Sequence, residues 1–532
     1  MKYNQQFPRT IKIGFCLIIF QILISCNVTE KAVNKEMKMN FSVAFEHPDS
    51  HYLEVVLEFD HLPSDKTNLV LPVWTPGYYL ILDTPRYIVD FDVEDTDGNK
   101  IKWNKKTKNC WLVENGKTSK IKVKYSVFAN KKSVAESYVD SDKAFLMPNN
   151  IFMHVENALN NPVTLTINPD KNWKKISTGL KTIHENELTF LAENIDVFYD
   201  SPIYLGNQKI VNFEHEGKSY SLGIATPQGL NEEKFTTDLK KIMTATTSIM
   251  KKVPYDRYCY IMMDAGGGGL EHWNSQAIFT NGTFDFKSDE EYTDFLNFVT
   301  HEYFHLYNVK AIRPIELGPF DYNKENYTSM LWVSEGFTVY YEYIIMMNAK
   351  LLEGREALKY ITESIKRYEN TEGKKHMSLS GSSFDIWLNF FNNESNAKQT
   401  TISYYNKGPI IGLLLDLEIR NNTHNQKSLD DVMRFLYNEY YEKKRRGFSE
   451  AEFWKTAEQI AGKSLGEIKT YVDTVDEIDY QKYLKYAGLQ IDLSPIKANA
   501  KKDNVMERNF EIKELSETSL LQSQIRKSIF KL

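Results

Sequence analysis

Val299-Thr300-His301-Glu302-Tyr303-Phe304-His305-Leu306-Tyr307 places two histidines four residues apart, with a glutamate directly after the first. On a helix, side chains at i and i+4 share one face about 5–6 Å apart, a span across which two imidazole nitrogens can bind a single zinc ion. Glu302 leans toward the same point, where it can take a proton from an activated water. The pattern thus predicts attack of water on a carbonyl. Its context is helical: Ser288-Asp289-Glu290-Glu291 reads as a capping box, and Phe295, Phe298, Val299 and Leu306 follow at helical spacing.

A catalytic zinc usually takes three protein ligands, and two histidines supply only two of them. After a Pro- and Gly-marked loop over Ala311 to Thr328, a second amphipathic helix is expected from about Thr328, carrying Trp332-Val333-Ser334-Glu335-Gly336. Glu335 stands thirty residues beyond His305 on a mostly apolar stretch. A carboxylate there is costly unless it is paired or metal-bound, which makes it the natural third ligand.

Upstream, a helix near Glu232 to Lys252 and a strand over Tyr258–Met263 precede Gly266-Gly267-Gly268-Gly269-Leu270-Glu271-His272-Trp273. Four glycines either form a flexible turn or let another chain approach the backbone closely. Downstream, Ser403-Tyr404-Tyr405-Asn406-Lys407-Gly408-Pro409 leads into an apolar helix over Ile410 to Ile419, with Pro409 suited to its first turn. A tyrosine ahead of that proline can donate a hydrogen bond to a developing oxyanion, although most of the 32 tyrosines serve packing.

The N-terminal part reads differently. From Met39 to His215 short runs alternate between apolar and polar residues, as in Leu53–Phe59 and Ile121–Val127, and turn signals such as Asp97-Gly98-Asn99 separate them. An antiparallel β-sandwich is expected over 39–215, with a mainly helical catalytic domain over 216–490, giving an α+β protein. His47, His51 and His61 lack acidic or cysteine partners at ligand spacing and are assigned to surface or packing roles.

Residues 1–26 combine basic Lys2, Arg9 and Lys12 with an apolar run, the form of an export signal, and end in Leu23-Ile24-Ser25-Cys26. That ending resembles the bacterial lipobox. It implies a lipid on Cys26 and a membrane-anchored protein facing the periplasm or the cell surface. No later segment is long and apolar enough to cross a bilayer, and a net charge of -6 on 532 residues offers no basic excess for nucleic acid. Of four cysteines, Cys110 and Cys259 lie beyond the signal, far apart, and are expected to be unpaired.

Taken together, His301-Glu302-Tyr303-Phe304-His305 with Asn308-Val309-Lys310 and Ile312-Arg313-Pro314, Glu335-Gly336, Gly268-Gly269-Leu270-Glu271-His272 and Tyr405-Asn406-Lys407-Gly408 resemble the glycyl aminopeptidase family of zinc peptidases. The resemblance covers about residues 40–490. It implies a β-sandwich followed by a thermolysin-like catalytic domain with one zinc ion on His301, His305 and Glu335, and with Glu302 as general base. It further implies that Tyr405 stabilises the tetrahedral intermediate, that Glu271 binds the free amino group beside His272, and that Gly268 and Gly269 lie along the peptide. Peptides with free N-termini, beginning in a small residue such as Gly or Ala, are the implied substrates. Tyr307 stands before Asn308 where the family carries a tryptophan, a change expected to alter packing more than chemistry. The family usually ends in a PDZ domain, but residues 491–532 resemble only its first part, and peptide binding is not expected of this tail. Two other readings use the same residues: a zinc endopeptidase with an open cleft, and a non-catalytic peptide-binding lipoprotein that keeps the metal for structure. An intact Glu302 and Tyr405 argue against the second, because a structural zinc needs neither.

Overall fold

The computed structural model describes residues 37–532, apart from 62–63, 184–187, 265, 281, 392–393, 395, 498–505 and 509. The expected signal and Cys26 lie outside the described residues. In the N-terminal part, alternation does what the pattern requires. Leu53, Val55, Leu57 and Phe59 of the strand Tyr52–Asp60 are buried while their neighbours are half-exposed, and Lys120–Phe128 repeats the pattern beside it. These two strands sit within a seven-stranded sheet. A four-stranded sheet carrying Leu69, Trp111 and Val113 supplies the facing half of the sandwich core. One pair departs from the expected antiparallel arrangement: Met39–Ala44 runs parallel to Val163–Asn168, which places the first strand in the middle of the large sheet. Cys110 and Cys259 are both buried and unpaired.

A third sheet, which includes Ala144–Leu146 and Ile203–Gly206, joins the two halves of the molecule. Phe145, Met147 and Tyr204 pack there against Cys259, Ile261, Met263, Leu270 and Phe279. Those residues belong to a five-stranded sheet whose order ends in Arg257–Met263, Ser275–Phe279 and, at the edge, Gly268–Glu271 running antiparallel to its neighbour. The glycine run is therefore an edge strand from Gly268 onward. The helix Asp289–Phe304 follows, its N-terminus capped by the Ser288 hydroxyl accepting from the Glu291 N–H at 3.2 Å.

Beyond the sheet the chain is helical. Phe337–Asn348, Gly354–Glu369 and Tyr404–Asn422 build one large apolar core with the helix Asp289–Phe304. Among the described residues no helix is long and apolar enough to cross a membrane. The tail is docked onto this core. Leu489–Asp492 pairs with Glu511–Glu514, and the helix Leu520–Phe530, capped by Ser519 and Gln522, buries Ile525, Ile529 and Phe530.

Candidate active site

The two histidines converge as helical spacing requires. His301 lies in the last turn of its helix, and His305 caps the helix in right-handed backbone geometry, so their Nε2 atoms stand 3.0 Å apart. Each ring is aimed from behind: Nδ1 of His301 is 2.9 Å from a Glu342 carboxylate oxygen, and Nδ1 of His305 donates to the Asn308 carbonyl at 2.7 Å. Partners of this kind fix ring orientation and leave the other nitrogen free to bind a ligand.

Glu335 enters from the next segment. Trp332–Gly336 form a π-helical turn ahead of the helix Phe337–Asn348, and such turns recur at functional sites because they push one residue out of helical register. Here its carboxylate lies 3.3 Å from His305 Nε2 and 3.7 Å from His301 Nε2. Ligands about 2.1 Å from a common centre at tetrahedral angles would stand roughly 3.4 Å apart, so the three donors fit a zinc-like ion. Asn308 locks the two segments together, its amide donating to the carbonyls of Val333 and Ser334 at 2.7 and 3.0 Å. The electrostatics agree with the geometry. Burial opposes a charge on either imidazole, yet Glu335 and Glu342 raise His301 well above its usual range and Glu335 raises His305. The pocket thus demands positive charge where the ring nitrogens meet.

Glu302 is buried beside them, and burial, with Glu271 and Glu335 nearby, pushes its carboxyl up to about 7. A group near neutrality suits proton transfer in both directions. The edge strand lies close enough that a Cβ on Gly269 would meet a Glu302 oxygen at 2.3 Å and the Phe298 ring at 2.7 Å, so a larger residue there would displace the Glu302 carboxylate. The carboxylates of Glu271 and Glu302 and a His305 nitrogen lie within 4.8 Å of one another, which brings Glu271 into the same centre. Tyr405, in the first turn of the helix Tyr404–Asn422, has its ring 6.3 Å from that of His301. Part of its ring faces water, but desolvation of the hydroxyl and the Glu335 carboxylate hold the phenol well above the ordinary tyrosine range, so it remains a proton donor. This helix begins six residues earlier than Ile410, and Pro409 lies inside it instead of in its first turn.

Gly268, Gly269, Glu271, His301, Glu302, His305, Glu335 and Tyr405 together line one cavity of about 270 Å³. His272 is placed elsewhere. It is buried with Nδ1 3.0 Å from Asp200 and lines a neighbouring cavity of about 360 Å³ on the other side of Glu271.

Sequence reasoning missed the groups behind Glu271. Lys310 places its ammonium 2.8 Å from Asp200 and 3.6 Å from Glu271, and against the cost of burial Lys310 and His272 hold Asp200 down at about 2. It also missed Gly77 of the sandwich, whose Cβ would meet the Glu271 carboxylate at 2.8 Å. Glu342 was detectable as the lone acid on the apolar run Phe337–Asn348, seven residues after Glu335 and so on the same helical face.

Residues 40–207 match the Peptidase M61 N-terminal domain, and residues 294–411 match M61 glycyl aminopeptidase. The chain belongs to the M61 glycyl aminopeptidase family. As a member it is a peptide hydrolase. Among solved structures it is similar to an aminopeptidase N family protein from Idiomarina loihiensis, at 26% identity and a TM-score of 0.81 over 87% of this chain and 80% of that one. An M1 zinc metallopeptidase from Deinococcus radiodurans shares the fold at 11% identity and a TM-score of 0.52, over 84% of this chain and 96% of that one. Leukotriene A4 hydrolase from Saccharomyces cerevisiae does so at 14% identity and a TM-score of 0.52, over 85% and 72%. No curated protein matches the chain.

Proposed function

We propose that this chain is a zinc-dependent aminopeptidase that removes a small N-terminal residue, Gly or Ala, from peptides. The observation that carries the reading is the closeness of Glu271 to the ligand set: an acid within 4.8 Å of both Glu302 and His305 can pair with the ammonium of a residue whose own carbonyl sits at the reacting centre. His301, His305 and Glu335 would hold one zinc ion. When bound, the ion supplies positive charge that polarises a carbonyl and acidifies water.

The remaining work falls to side chains of the chain itself. Glu302 accepts the attacking water's proton and returns it to the leaving amine. Tyr405 donates to the oxygen on which charge develops, an interaction whose loss typically costs about 100- to 1,000-fold in rate. Lys310, Asp200 and Gly77 hold the Glu271 carboxylate in place without neutralising it fully, since Lys310 lies closer to Asp200. The open glycine edge offers backbone groups to the peptide. The Leu23-Ile24-Ser25-Cys26 ending supports an exported, lipid-anchored location.

Glu302→Gln tests the reading, because it keeps shape and charge-free hydrogen bonding but cannot accept the proton. The variant is expected to bind zinc in the wild-type stoichiometry by elemental analysis while turnover falls by about a thousandfold or more. Substantial residual activity would remove Glu302 from the base role.

A further inference from the structure

The catalytic cavity extends from the buried Glu271 to an exposed aromatic rim. Glu271 is 5% exposed, with Gly77 and the buried Lys310 packed behind it at the border of the neighbouring cavity. At the other end stand Tyr405, 37% exposed, and Phe391, 64% exposed. A peptide whose ammonium rests on Glu271 and whose carbonyl lies at the ligand set can run on toward this rim. The free edge of Gly268–Glu271 gives it a track, because this strand ends its sheet.

The open end is aromatic. Tyr78 of the sandwich lies 5.0 Å from Phe390 and 5.6 Å from Phe391, ring centre to ring centre, and all three line the catalytic cavity. Phe391 takes a left-handed backbone, φ 55°, which a bulky residue rarely adopts and which turns an apolar ring toward water. Apolar side chains left bare at the rim of a substrate cavity, one of them on strained backbone, mark a binding surface.

Resting on the aminopeptidase reading, we propose that Tyr78, Phe390 and Phe391 form the platform for the side chain that follows the cleaved bond, so that the enzyme selects peptides with a large apolar residue in second position. With the first residue's ammonium on Glu271 and its carbonyl at the ligand set, the second residue lies past that set in the cavity that the three rings line. A ring or a branched aliphatic chain laid there removes apolar surface from water on both partners, whereas a serine gains no such burial.

The test compares kcat/KM for Gly-Phe-Gly, Gly-Leu-Gly, Gly-Ser-Gly and Gly-Asp-Gly on the zinc-loaded protein. The wild type is expected to favour Gly-Phe-Gly over Gly-Ser-Gly by about tenfold or more. In Phe391→Ala that ratio should fall several-fold toward one, and in Phe391→Tyr it should persist. The readout is the ratio, which a general loss of activity does not move. A ratio near one in the wild type, or an undiminished ratio in Phe391→Ala, would overturn the proposal while leaving the aminopeptidase reading standing. Failure to cleave any of the four peptides would overturn both.

Discussion

Single residues at this site are set by what surrounds them, and Lys407 shows this most clearly. It sits within the Tyr405-Asn406-Lys407-Gly408 motif, fully buried. Among the described residues its ammonium has no hydrogen-bond partner, only the Tyr368 ring at 5.0 Å. Burial pulls its pKa down to about 8, with Glu369 and Asp476 resisting. Between about pH 8 and the ordinary lysine value near 10.4, the unfolded chain therefore holds a proton that the folded one has lost, so stability rises with pH across that window. Below it the cost of the buried charge is borne in full, about 3 kcal/mol. Lys407→Met should accordingly be more stable than wild type at pH 7 by about 1–3 kcal/mol in urea unfolding, and the gap should close by pH 10. A variant less stable at pH 7 would instead mean that Lys407 is needed to balance Glu369 and Asp476.

At the scale of elements, the site depends on how closely two helical segments cross. Gly336, at the end of the π-helical turn, faces Gly408 of the helix Tyr404–Asn422, and a Cβ on Gly408 would meet the Gly336 Cα at 2.7 Å and the Trp332 carbonyl at 3.0 Å. This contact brings Tyr405 beside Glu335. One turn further along the same helix, a Cβ on Gly412 would meet Phe337 and Tyr340 side-chain atoms at 3.3 Å, a contact that can relax. Gly408→Ala should therefore cost about 1–3 kcal/mol and lower kcat by displacing Tyr405, while Gly412→Ala should cost less on both counts. Thermal melts and steady-state kinetics on the two variants would check the order, and equal effects would mean that the crossing does not position the tyrosine. Sequence made part of this legible. The histidine spacing, the cap at Ser288 and the acid thirty residues on from His305 are local or periodic signals. The π-helical turn is not, because it is held by Asn308 bonding to the Val333 and Ser334 carbonyls and by the glycine crossing, both tertiary contacts. The early start of the Tyr404–Asn422 helix was hidden for a related reason. Pro409 reads as a helix beginning, and only the capping bond of Ser403 to the Tyr405 N–H reveals the true one.

Over the whole molecule, the active site belongs to both halves. The loop Ala311–Thr328, expected as a connector, docks on the sandwich: the Trp74 indole donates to the Asp321 carbonyl at 2.9 Å, and Tyr322 joins the sandwich core. In return the sandwich delivers Gly77 against Glu271 and Tyr78 to the cavity rim. Alternating hydrophobicity was enough to read the sandwich strands, since each buries one face. The parallel pairing of Met39–Ala44 with Val163–Asn168 and the meeting of the two halves behind Glu271 join residues far apart in sequence, and no periodicity reports such contacts. The architecture that results sets a buried acid beside a metal-ligand set, the arrangement on which the proposed action from the N-terminus rests. Hydrolysis of a panel of short peptides beside their N-acetylated twins, with and without a zinc chelator, tests this most directly. Cleavage of the free-amine set alone is expected, abolished by the chelator and restored by zinc. Cleavage of the acetylated peptides at a comparable rate, or activity that survives the chelator, would contradict it.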